Sequence, residues 1–302
     1  MRRQPHPSAL PGAMCCDERV TDDSDPGGLR AVAEQLAGEA AAFVRRRRGE
    51  VFGGTSSQAD VESAVRSKST PTDPVTIVDT ETERLLRARL AELRPGDPIV
   101  GEEEGGSFLG HHGKPTWVLD PIDGTVNFVY GIEAYAVSVG VQVDGRSVAG
   151  AVANVPTGEV FSAALGGGAH LRRDGVSKVL RCNPVDDLSM ALVGTGFGYA
   201  PEHRLEQAEV LARLMPVVRD MRRIGSCALD LCMVAAGQLD AYYEVGVNVW
   251  DWAAGALVAE EAGAVLLLPS LDGDDVGSGL IVAAAPGIAA EFDEALRRAG
   301  AR

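Results

Sequence analysis

The stretch Asp120-Pro121-Ile122-Asp123-Gly124-Thr125 holds two carboxylates three residues apart and directly follows the apolar run Trp117-Val118-Leu119. The apolar run predicts a strand, and the residues after Thr125 predict the start of a helix. Acids at the end of a strand project from the edge of a sheet, and Mg²⁺ prefers such oxygen ligands and often bridges to phosphate. Gly124 permits a close approach of the backbone to a ligand, and the N–H groups of a helix start favour an anion. The stretch therefore predicts a site for a metal ion and a phosphate group.

The pattern of the chain differs on the two sides of this stretch. A helix is predicted from Leu29 to Arg48, and another is predicted to begin at Asp79. Residues 136–164 predict a series of strands with turns at Gly-containing sites. Beyond about residue 183, strands and helices alternate, which is typical of α/β structure. We therefore predict an α/β protein with an α+β first half and an α/β second half.

The predicted domain organisation follows from these patterns. Residues 1–27 are rich in Pro and acids without apolar periodicity, and they predict a disordered tail. Residues 28–182 would form an α+β subdomain that carries most of the candidate metal ligands. Residues 183–302 would form an α/β subdomain that carries Asp251 and the substrate contacts.

Composition excludes some classes of protein. The chain has 302 residues, enough for a sizeable core, and it has no apolar run of the ~18 residues that a membrane-spanning helix needs. The net charge of −15 disfavours direct binding of nucleic acid, which needs a basic surface. The five cysteines are an odd number without metal-type spacing, and they indicate reduced thiols in a cytoplasmic protein.

Five acids stand where turns meet helices or strands: Asp79, Glu102, Asp120, Asp123 and Asp251. Taken singly, Asp79 and Asp251 are better explained as helix N-caps and Glu102 as a solvated loop acid, and Asp123 also fits an Asx-turn residue. Asp120 fits no such local role, because it ends an apolar strand before Pro. No basic residue occurs within these motifs, so we expect the acids to repel one another unless cations are bound.

In combination these motifs closely resemble the signatures of the inositol monophosphatase family, and most closely its bacterial SuhB-like members. The resemblance covers about residues 29–300. The matching segments are Lys68-Ser69-Thr70-Pro71-Thr72-Asp73, Val75-Thr76-Ile77-Val78-Asp79, Gly101-Glu102-Glu103, residues 117–128, Ile224-Gly225-Ser226, Asp240-Ala241-Tyr242-Tyr243-Glu244 and Trp250-Asp251-Trp252-Ala253-Ala254-Gly255.

The resemblance implies a layered αβαβα fold, two or three Mg²⁺ ions and a role for each matching residue. One ion would be held by Glu102, Asp120 and the carbonyl of Ile122, a second by Asp120, Asp123 and Asp251, and a weaker third would share Glu102. Thr125 with Asp79 would activate the nucleophilic water, with Glu102 also in the catalytic set. The substrate would contact Asp123, Gly124, Thr125, Gly225, Ser226, Cys227, Glu244 and Asp251, with the N–H groups of Gly124 and Thr125 on its phosphate.

The function implied is a Mg²⁺-dependent, lithium-sensitive phosphatase that hydrolyses inositol 1-phosphate to myo-inositol and phosphate and supports inositol and phosphatidylinositol synthesis. A cytoplasmic homodimer is expected. Two alternatives stay open from the sequence. One is a related phosphatase for fructose 1,6-bisphosphate, histidinol phosphate or a nucleotide phosphate. The other is a binding protein associated with transcription machinery.

Overall fold

A computed structural model of the chain describes residues 24–53, 64–68, 73–108, 111–269 and 279–301. Most of the predicted tail, residues 1–23, lies outside these ranges. The first described helix begins at Pro26, earlier than the predicted Leu29, and Asp25 caps it by accepting a hydrogen bond from the N–H of Gly28. It continues through Gly49 to Phe52, beyond the predicted end at Arg48.

The order of helices and strands along the described chain largely follows the sequence patterns. The α-helices are α1 (Pro26–Phe52), α2 (Ile77–Leu93), α3 (Thr125–Tyr130), α4 (Pro201–Leu214), α5 (Cys227–Ala235), α6 (Val249–Glu261) and α7 (Ala289–Ala299). The strands are β1 (Val65–Ser67), β2 (Pro74–Thr76), β3 (Ile99–Gly101), β4 (Thr116–Asp123), β5 (Ala136–Val143), β6 (Arg146–Asn154), β7 (Val160–Ala164), β8 (Gly168–Arg173), β9 (Val176–Val179), β10 (Leu192–Thr195), β11 (Asp220–Arg222), β12 (Ala241–Val247), β13 (Val265–Leu267) and β14 (Gly279–Ala284).

The larger sheet has seven strands in the order β3-β4-β5-β6-β7-β8-β9, with β3 and β4 parallel and the remaining pairs antiparallel. The sequence predicts that the strand ends at Asp120, before Pro121, but β4 is longer. It runs on through Pro121 to Asp123, and its pairing with β5 shifts register between Asp120 and Asp123. Pro has no N–H to donate to a ladder, so an irregular pairing is where it is tolerated within a sheet.

The smaller sheet has five strands in the order β11-β10-β12-β14-β13. Strand β10 pairs in parallel with β11 and β12, whereas β14 is antiparallel to both β12 and β13. Strand β12 carries a register shift between Val245 and Val247. The two sheets fall on either side of residue 183, the predicted boundary between the two halves.

The helices form layers on and between the two sheets. Helices α1 and α2 cover the outer face of the larger sheet around a core that includes Leu36, Leu86 and Trp117. Helices α5 and α6 lie between the sheets, where Trp252 and Leu231 are buried. Helices α4 and α7 cover the outer face of the smaller sheet, packing around residues such as Phe292. The fold is therefore the layered αβαβα sandwich that the resemblance implied.

The structure also bears on the predictions about cysteines and about membrane-spanning helices. Cys182, Cys227 and Cys232 are free thiols, and the last two are buried in helix α5. No helix in the described part of the chain has an apolar stretch long enough to span a bilayer.

Candidate active site

A cavity of about 620 Å³ lies where β4, the start of α5, strand β12 and the start of α6 meet. Its wall includes most of the residues that the sequence marked as candidates. The candidates on the wall are Glu102, Asp120, Ile122, Asp123, Gly124, Thr125, Gly225, Cys227, Glu244 and Asp251. Asp79 and Ser226 lie behind this wall, in contact with residues that line it.

Three carboxylates converge at one end of this cavity. Asp120, Asp123 and Asp251 each present an oxygen, and these oxygens lie within 4.8 Å of one another. Asp120 accepts a hydrogen bond of 2.9 Å from the N–H of Ile122, which bends the irregular segment of β4 around its side chain. Asp120 and Asp123 come from the larger sheet, whereas Asp251 comes from helix α6 between the sheets. The acid cluster therefore depends on the packing of the two halves.

Burial shifts the pKa values of these acids upward. Desolvation is the largest cause for each, and mutual repulsion adds to it for Asp120 and Asp251, whose pKa values are raised above the ordinary range. The pKa of Asp123 is raised to about 6, since hydrogen bonds from Ser226 and Ala228 partly offset its burial. Lys68 and these hydrogen bonds therefore offset only part of the cost of ionising the cluster, and a bound cation would offset more of it.

Asp251 and Asp79 occupy the same position at the starts of two different helices. Each is the third residue of its helix and closes a capping box, with Asn248 as the N-cap of α6 and Thr76 as the N-cap of α2. Asp251 Oδ2 accepts from the Asn248 N–H at 2.6 Å, and Asp79 Oδ2 accepts from the Thr76 N–H at 2.9 Å. The suggestion that these acids are themselves N-caps is therefore wrong by three residues, and their capping is reciprocal.

Thr125 and Asp79 are in direct contact although they lie in different helices. Thr125 Oγ1 is 3.1 Å from Asp79 Oδ1 and 3.0 Å from the carbonyl oxygen of Ile122. With one hydroxyl proton, Thr125 donates to one of these oxygens at a time. Asp79 is fully buried, and its burial raises its pKa to about 7. A carboxyl group with a pKa near neutrality beside a hydroxyl on the cavity wall is suited to accept a proton.

Glu102 has a basic partner that lies outside the motifs of the five acids. Lys68 Nζ lies 2.7 Å from Glu102 Oε1 and 2.5 Å from Glu103 Oε1. These two carboxylates raise the pKa of Lys68 in spite of its partial burial. Glu102 does not belong to the close group of three carboxylates found among the described residues. The ion pair joins residues thirty-four positions apart, so no single motif reveals it.

Ser226 holds Asp123 instead of facing the cavity. Its hydroxyl donates to Asp123 Oδ2 at 2.5 Å, and the N–H of Ala228 donates to the same oxygen at 2.7 Å. Ser226 is also the N-cap of α5, where it accepts from the N–H of Leu229. The sequence-based placement of Ser226 against the substrate thus differs from its observed contacts, which fix the orientation of Asp123.

Glu244 lies on strand β12 at the other side of the cavity. The hydroxyl of Tyr242 donates to Glu244 Oε2 at 2.5 Å. Its carboxylate packs directly on Gly196, where a Cβ atom would lie about 2.0 Å from Glu244 Oε2. Burial raises the pKa of Glu244, and Arg223 counteracts this in part. Cys227 lies nearby on the same wall with a buried thiol whose pKa is raised by desolvation.

Gly124 is required by its surroundings as well as by its backbone conformation. It has a φ of 96° and is the N-cap of helix α3. A Cβ atom there would lie 3.0 Å from the carbonyl oxygens of both Ala134 and Gly225. A side chain at this position would push the segment that carries Thr125 away from the start of α5.

Sequence reasoning missed several residues of the cavity wall. Lys68, Tyr199, His203 and Arg223 line it, and none is among the site residues that the sequence predicts. Lys68 falls in a segment of the family resemblance, which was the one available signal for it. Trp250 also lines the cavity, while it packs against the apolar core between the sheets.

The donor set fits hard divalent cations. Asp120, Asp123 and Asp251 supply carboxylate oxygens, the carbonyl of Ile122 faces the same region, and Glu102 lines the same wall. All are oxygen donors, and the described acid group contains no His or Cys, which is the choice expected for Mg²⁺ and not for zinc.

A layered αβαβα fold with carboxylates gathered at a cavity between the sheets defines a metal-dependent phosphatase. Comparison with known proteins narrows this class. The model of the inositol monophosphatase family matches residues 26–300. Inositol-1-monophosphatase of Mycobacterium leprae is 66% identical over 279 residues, covering 91% of this chain and 96% of that protein. The structure of Mycobacterium tuberculosis SuhB superposes with a TM-score of 0.78 at 59% identity, covering 92% of this chain and 99% of that one.

A more distant relative bears a different name. The Nus factor SuhB of Vibrio cholerae is 38% identical over 215 residues, covering 71% of this chain and 79% of that protein. The chain belongs to the inositol monophosphatase family. It is an enzyme of the inositol-phosphate phosphatase type.

Proposed function

We propose that the protein hydrolyses inositol 1-phosphate to myo-inositol and phosphate, with Mg²⁺ held by Glu102, Asp120, Ile122, Asp123 and Asp251. The observation that carries the proposal is the group of three carboxylate oxygens within 4.8 Å, two from buried residues and one from the half-buried Asp251, in which mutual repulsion and desolvation raise the pKa values of Asp120 and Asp251. The high identity to mycobacterial inositol-1-monophosphatases supports the choice of substrate. Bound Mg²⁺ would stabilise the charge that develops on the attacking and leaving oxygens and make a water molecule more acidic.

The residues of the chain would move the proton of the attacking water. The Thr125 hydroxyl can accept that proton while its own proton passes to Asp79 Oδ1, 3.1 Å away. Asp79 has to be ionised for this transfer, and its raised pKa makes it a stronger base than an exposed Asp. Thr76 donates to the other carboxylate oxygen and keeps Asp79 oriented toward Thr125. The nucleophile is then water, and no residue becomes covalently attached to phosphate.

The remaining wall would position the substrate. The N–H groups of Gly124 and Thr125 would bind the phosphate, because Gly124 brings the backbone close to the cavity without a side chain. Glu244 would accept hydrogen bonds from the polyol hydroxyls, with Gly225 and Cys227 beside it. Tyr242 holds Glu244 in this orientation. A carboxylate at this end of the cavity favours free hydroxyls over a second phosphate.

The wider biological assignment is part of the same proposal. The enzyme would act in the cytoplasm as a homodimer and support inositol and phosphatidylinositol synthesis. The free thiols of Cys182, Cys227 and Cys232 are compatible with a reducing compartment.

The test is phosphate release from a panel of phosphate esters by the full-length protein, with and without Mg²⁺. The panel contains inositol 1-phosphate, fructose 1,6-bisphosphate, histidinol phosphate, a nucleoside monophosphate and a simple aryl phosphate. We expect the highest kcat/KM for inositol 1-phosphate and no turnover in excess EDTA. A higher kcat/KM for another ester would assign the enzyme to that substrate, and full turnover in EDTA would overturn the role of Mg²⁺.

A second function is favoured by one specific observation, the similarity to a Nus factor SuhB at 38% identity. A transcription-associated role would involve a surface and not the cavity. Pull-down of the transcription machinery by the wild type and by Asp120→Asn tests it, because a binding role would survive loss of the acid cluster.

A further inference from the structure

Glu83 is a fully buried carboxylate on helix α2 that lies outside the residues assigned to the site. Burial of a charge is costly unless hydrogen bonds and an opposite charge compensate it. Arg87, one turn later, donates to Glu83 Oε1 at 2.8 Å. The two carboxylate oxygens also accept from two successive backbone N–H groups, those of Glu103 at 2.7 Å and Glu104 at 3.0 Å. Both oxygens are therefore engaged with one turn of the chain.

That turn follows strand β3 and carries Glu102. The N–H and carbonyl groups of Gly101 and Gly105 bond to each other at 3.1 Å in both directions, which closes the turn at its base. The N–H of Glu102 donates to the carbonyl of Leu119 on β4 at 3.2 Å. Arg87 donates to the carbonyl of Gly105 at 2.6 Å. The turn is thus fixed from helix α2 on one side and from strand β4 on the other.

Gly101 has no side chain, and the Glu83 carboxylate occupies the space where one would lie. A Cβ atom on Gly101 would lie 2.3 Å from Glu83 Oε1 and 2.8 Å from Oε2. Atoms cannot approach so closely, so any side chain at position 101 would displace the carboxylate from the turn. Gly101 is not at positive φ, and its small size is what the contact requires.

We propose that Glu83 is a positioning residue for the Glu102 metal ligand. It binds the backbone of the turn and sets the direction in which Glu102 projects, while Lys68 holds the Glu102 carboxylate at 2.7 Å. Glu83 itself is not among the residues that line the cavity. A simple i,i+4 ion pair with Arg87 on the helix surface would not need burial or two backbone N–H donors. The inference rests on the proposed role of Glu102 in Mg²⁺ binding.

The test compares full-length wild type with Glu83→Gln by two measurements. Mg²⁺ binding is measured by calorimetry after removal of metal, and amide hydrogen exchange is measured by mass spectrometry for the peptide that contains residues 102–105. Gln has one acceptor oxygen in place of two, so one N–H of the turn loses its partner. We expect Mg²⁺ affinity to fall about tenfold or more, as for other residues that orient metal ligands, and exchange in the turn to become faster. Unchanged Mg²⁺ affinity in a folded Glu83→Gln protein would overturn the proposal, and so would unchanged exchange in the turn, because the proposed loss of affinity acts through the turn.

A second variant covers the case in which Glu83→Gln fails to fold. Gly101→Ala keeps every charge but displaces the Glu83 carboxylate, and we expect the same loss of Mg²⁺ affinity and of protection. Asp240→Asn is the matched control, because Asp240 is another buried carboxylate that accepts from a backbone N–H, that of Leu192 at 2.7 Å. Asp240→Asn should lower stability without changing Mg²⁺ affinity or exchange in the turn. If Asp240→Asn and Glu83→Gln lowered Mg²⁺ affinity equally, the proposal would be overturned.

The two measurements separate this inference from the function on which it rests. A wild type that does not bind Mg²⁺ would remove the proposed function. Hydrogen exchange in the metal-free protein would then decide alone whether Glu83 orders the turn. A wild type that binds Mg²⁺ no more tightly than Glu83→Gln would leave the phosphatase proposal intact and remove only the positioning role.

Discussion

The metal-free protein should lose stability as the pH rises from 5 to 8, which is the reverse of the behaviour of proteins stabilised by surface ion pairs. The pKa of Asp79 is 3.8 without the protein environment and about 7 in the folded protein. Between these values the unfolded chain releases a proton that the folded chain retains. The folded state therefore binds more protons, and the free energy of unfolding falls with rising pH. Below pH ~4 both states are protonated and the loss is absent.

The size of the effect follows from how far each pKa rises. Between pH 5 and 8 the loss covers only the interval from pH 5 to the folded pKa, which is about 2 units or about 3 kcal/mol for Asp79 and about 1 unit or about 1 kcal/mol for Asp123. The pKa values of Asp120 and Asp251 are raised in the same direction. These acids interact, so their contributions do not add in full. Lys68, whose pKa is raised by Glu102, keeps its proton in both states throughout this range and does not contribute to the slope.

The assay is urea unfolding followed by circular dichroism at pH 5, 6, 7 and 8, with EDTA and with excess Mg²⁺. We expect the midpoint in EDTA to fall toward pH 8 and Mg²⁺ to restore it, since a ligand at 100 times its Kd stabilises the folded state by about 2.7 kcal/mol. Asp79→Asn removes one titrating group and should flatten the slope, whereas Glu92→Gln on the exposed part of the same helix should not. A midpoint in EDTA that stays constant or rises from pH 5 to 8 would refute the reasoning.

Four further predictions concern activity. Asp120→Asn should abolish phosphate release but keep or raise the melting temperature, because it removes a buried negative charge with a raised pKa; retained turnover would contradict its role as a ligand. Li⁺ should inhibit at saturating Mg²⁺, and a flat lithium titration would separate this enzyme from the lithium-sensitive members that its motifs resemble. Thr125→Ala and Asp79→Asn should each lower kcat severely with little change in KM, and the double variant should be scarcely worse, since paired groups are non-additive; multiplying losses would mean independent roles. Glu244→Gln should lower kcat/KM for inositol 1-phosphate at least tenfold more than for an aryl phosphate, because an unpaired buried polar group costs about 1–3 kcal/mol; equal losses would place Glu244 outside the polyol site.

The periodic elements of this fold were predictable from sequence because their burial is regular. A series of strands was predicted over residues 136–164, where β5, β6 and β7 lie, and the helix predicted from Leu29 to Arg48 falls within the observed α1. Strand β9 was not predicted, because all four of its residues are exposed at the edge of the sheet and carry no alternating pattern. Strand β4 was predicted too short, because Pro is typical of a turn and Pro121 instead lies in an irregular strand pairing.

In the candidate site, too, the residues of short motifs were predictable and the contacts between distant residues were not. The acids were predictable because each belongs to a short motif, and these motifs follow one another along the chain in a specific order. The ion pair of Lys68 with Glu102 and the hydrogen bond from Ser226 to Asp123 join residues that are far apart in sequence. Such contacts are set by how the layers pack, and a single sequence contains no direct record of them. The turn-binding role of Glu83 was hidden for the same reason, since one charged residue in a helical pattern gives no signal of a distant partner.

Asp79 and Asp251 show why a capping role and a site role need not be alternatives. In each, Oδ2 closes a capping box at the start of its helix. The same bond fixes the side-chain torsions, so the second oxygen is held in one direction. In Asp79 that direction is toward Thr125, and in Asp251 an oxygen joins the group shared with Asp120 and Asp123. A capping box is worth about 1 kcal/mol of stability, but here it also orients a carboxylate whose charge the folded protein does not otherwise stabilise. Replacement of either N-cap residue, Thr76 or Asn248, should therefore affect the site through the orientation of the acid as well as the stability of the helix.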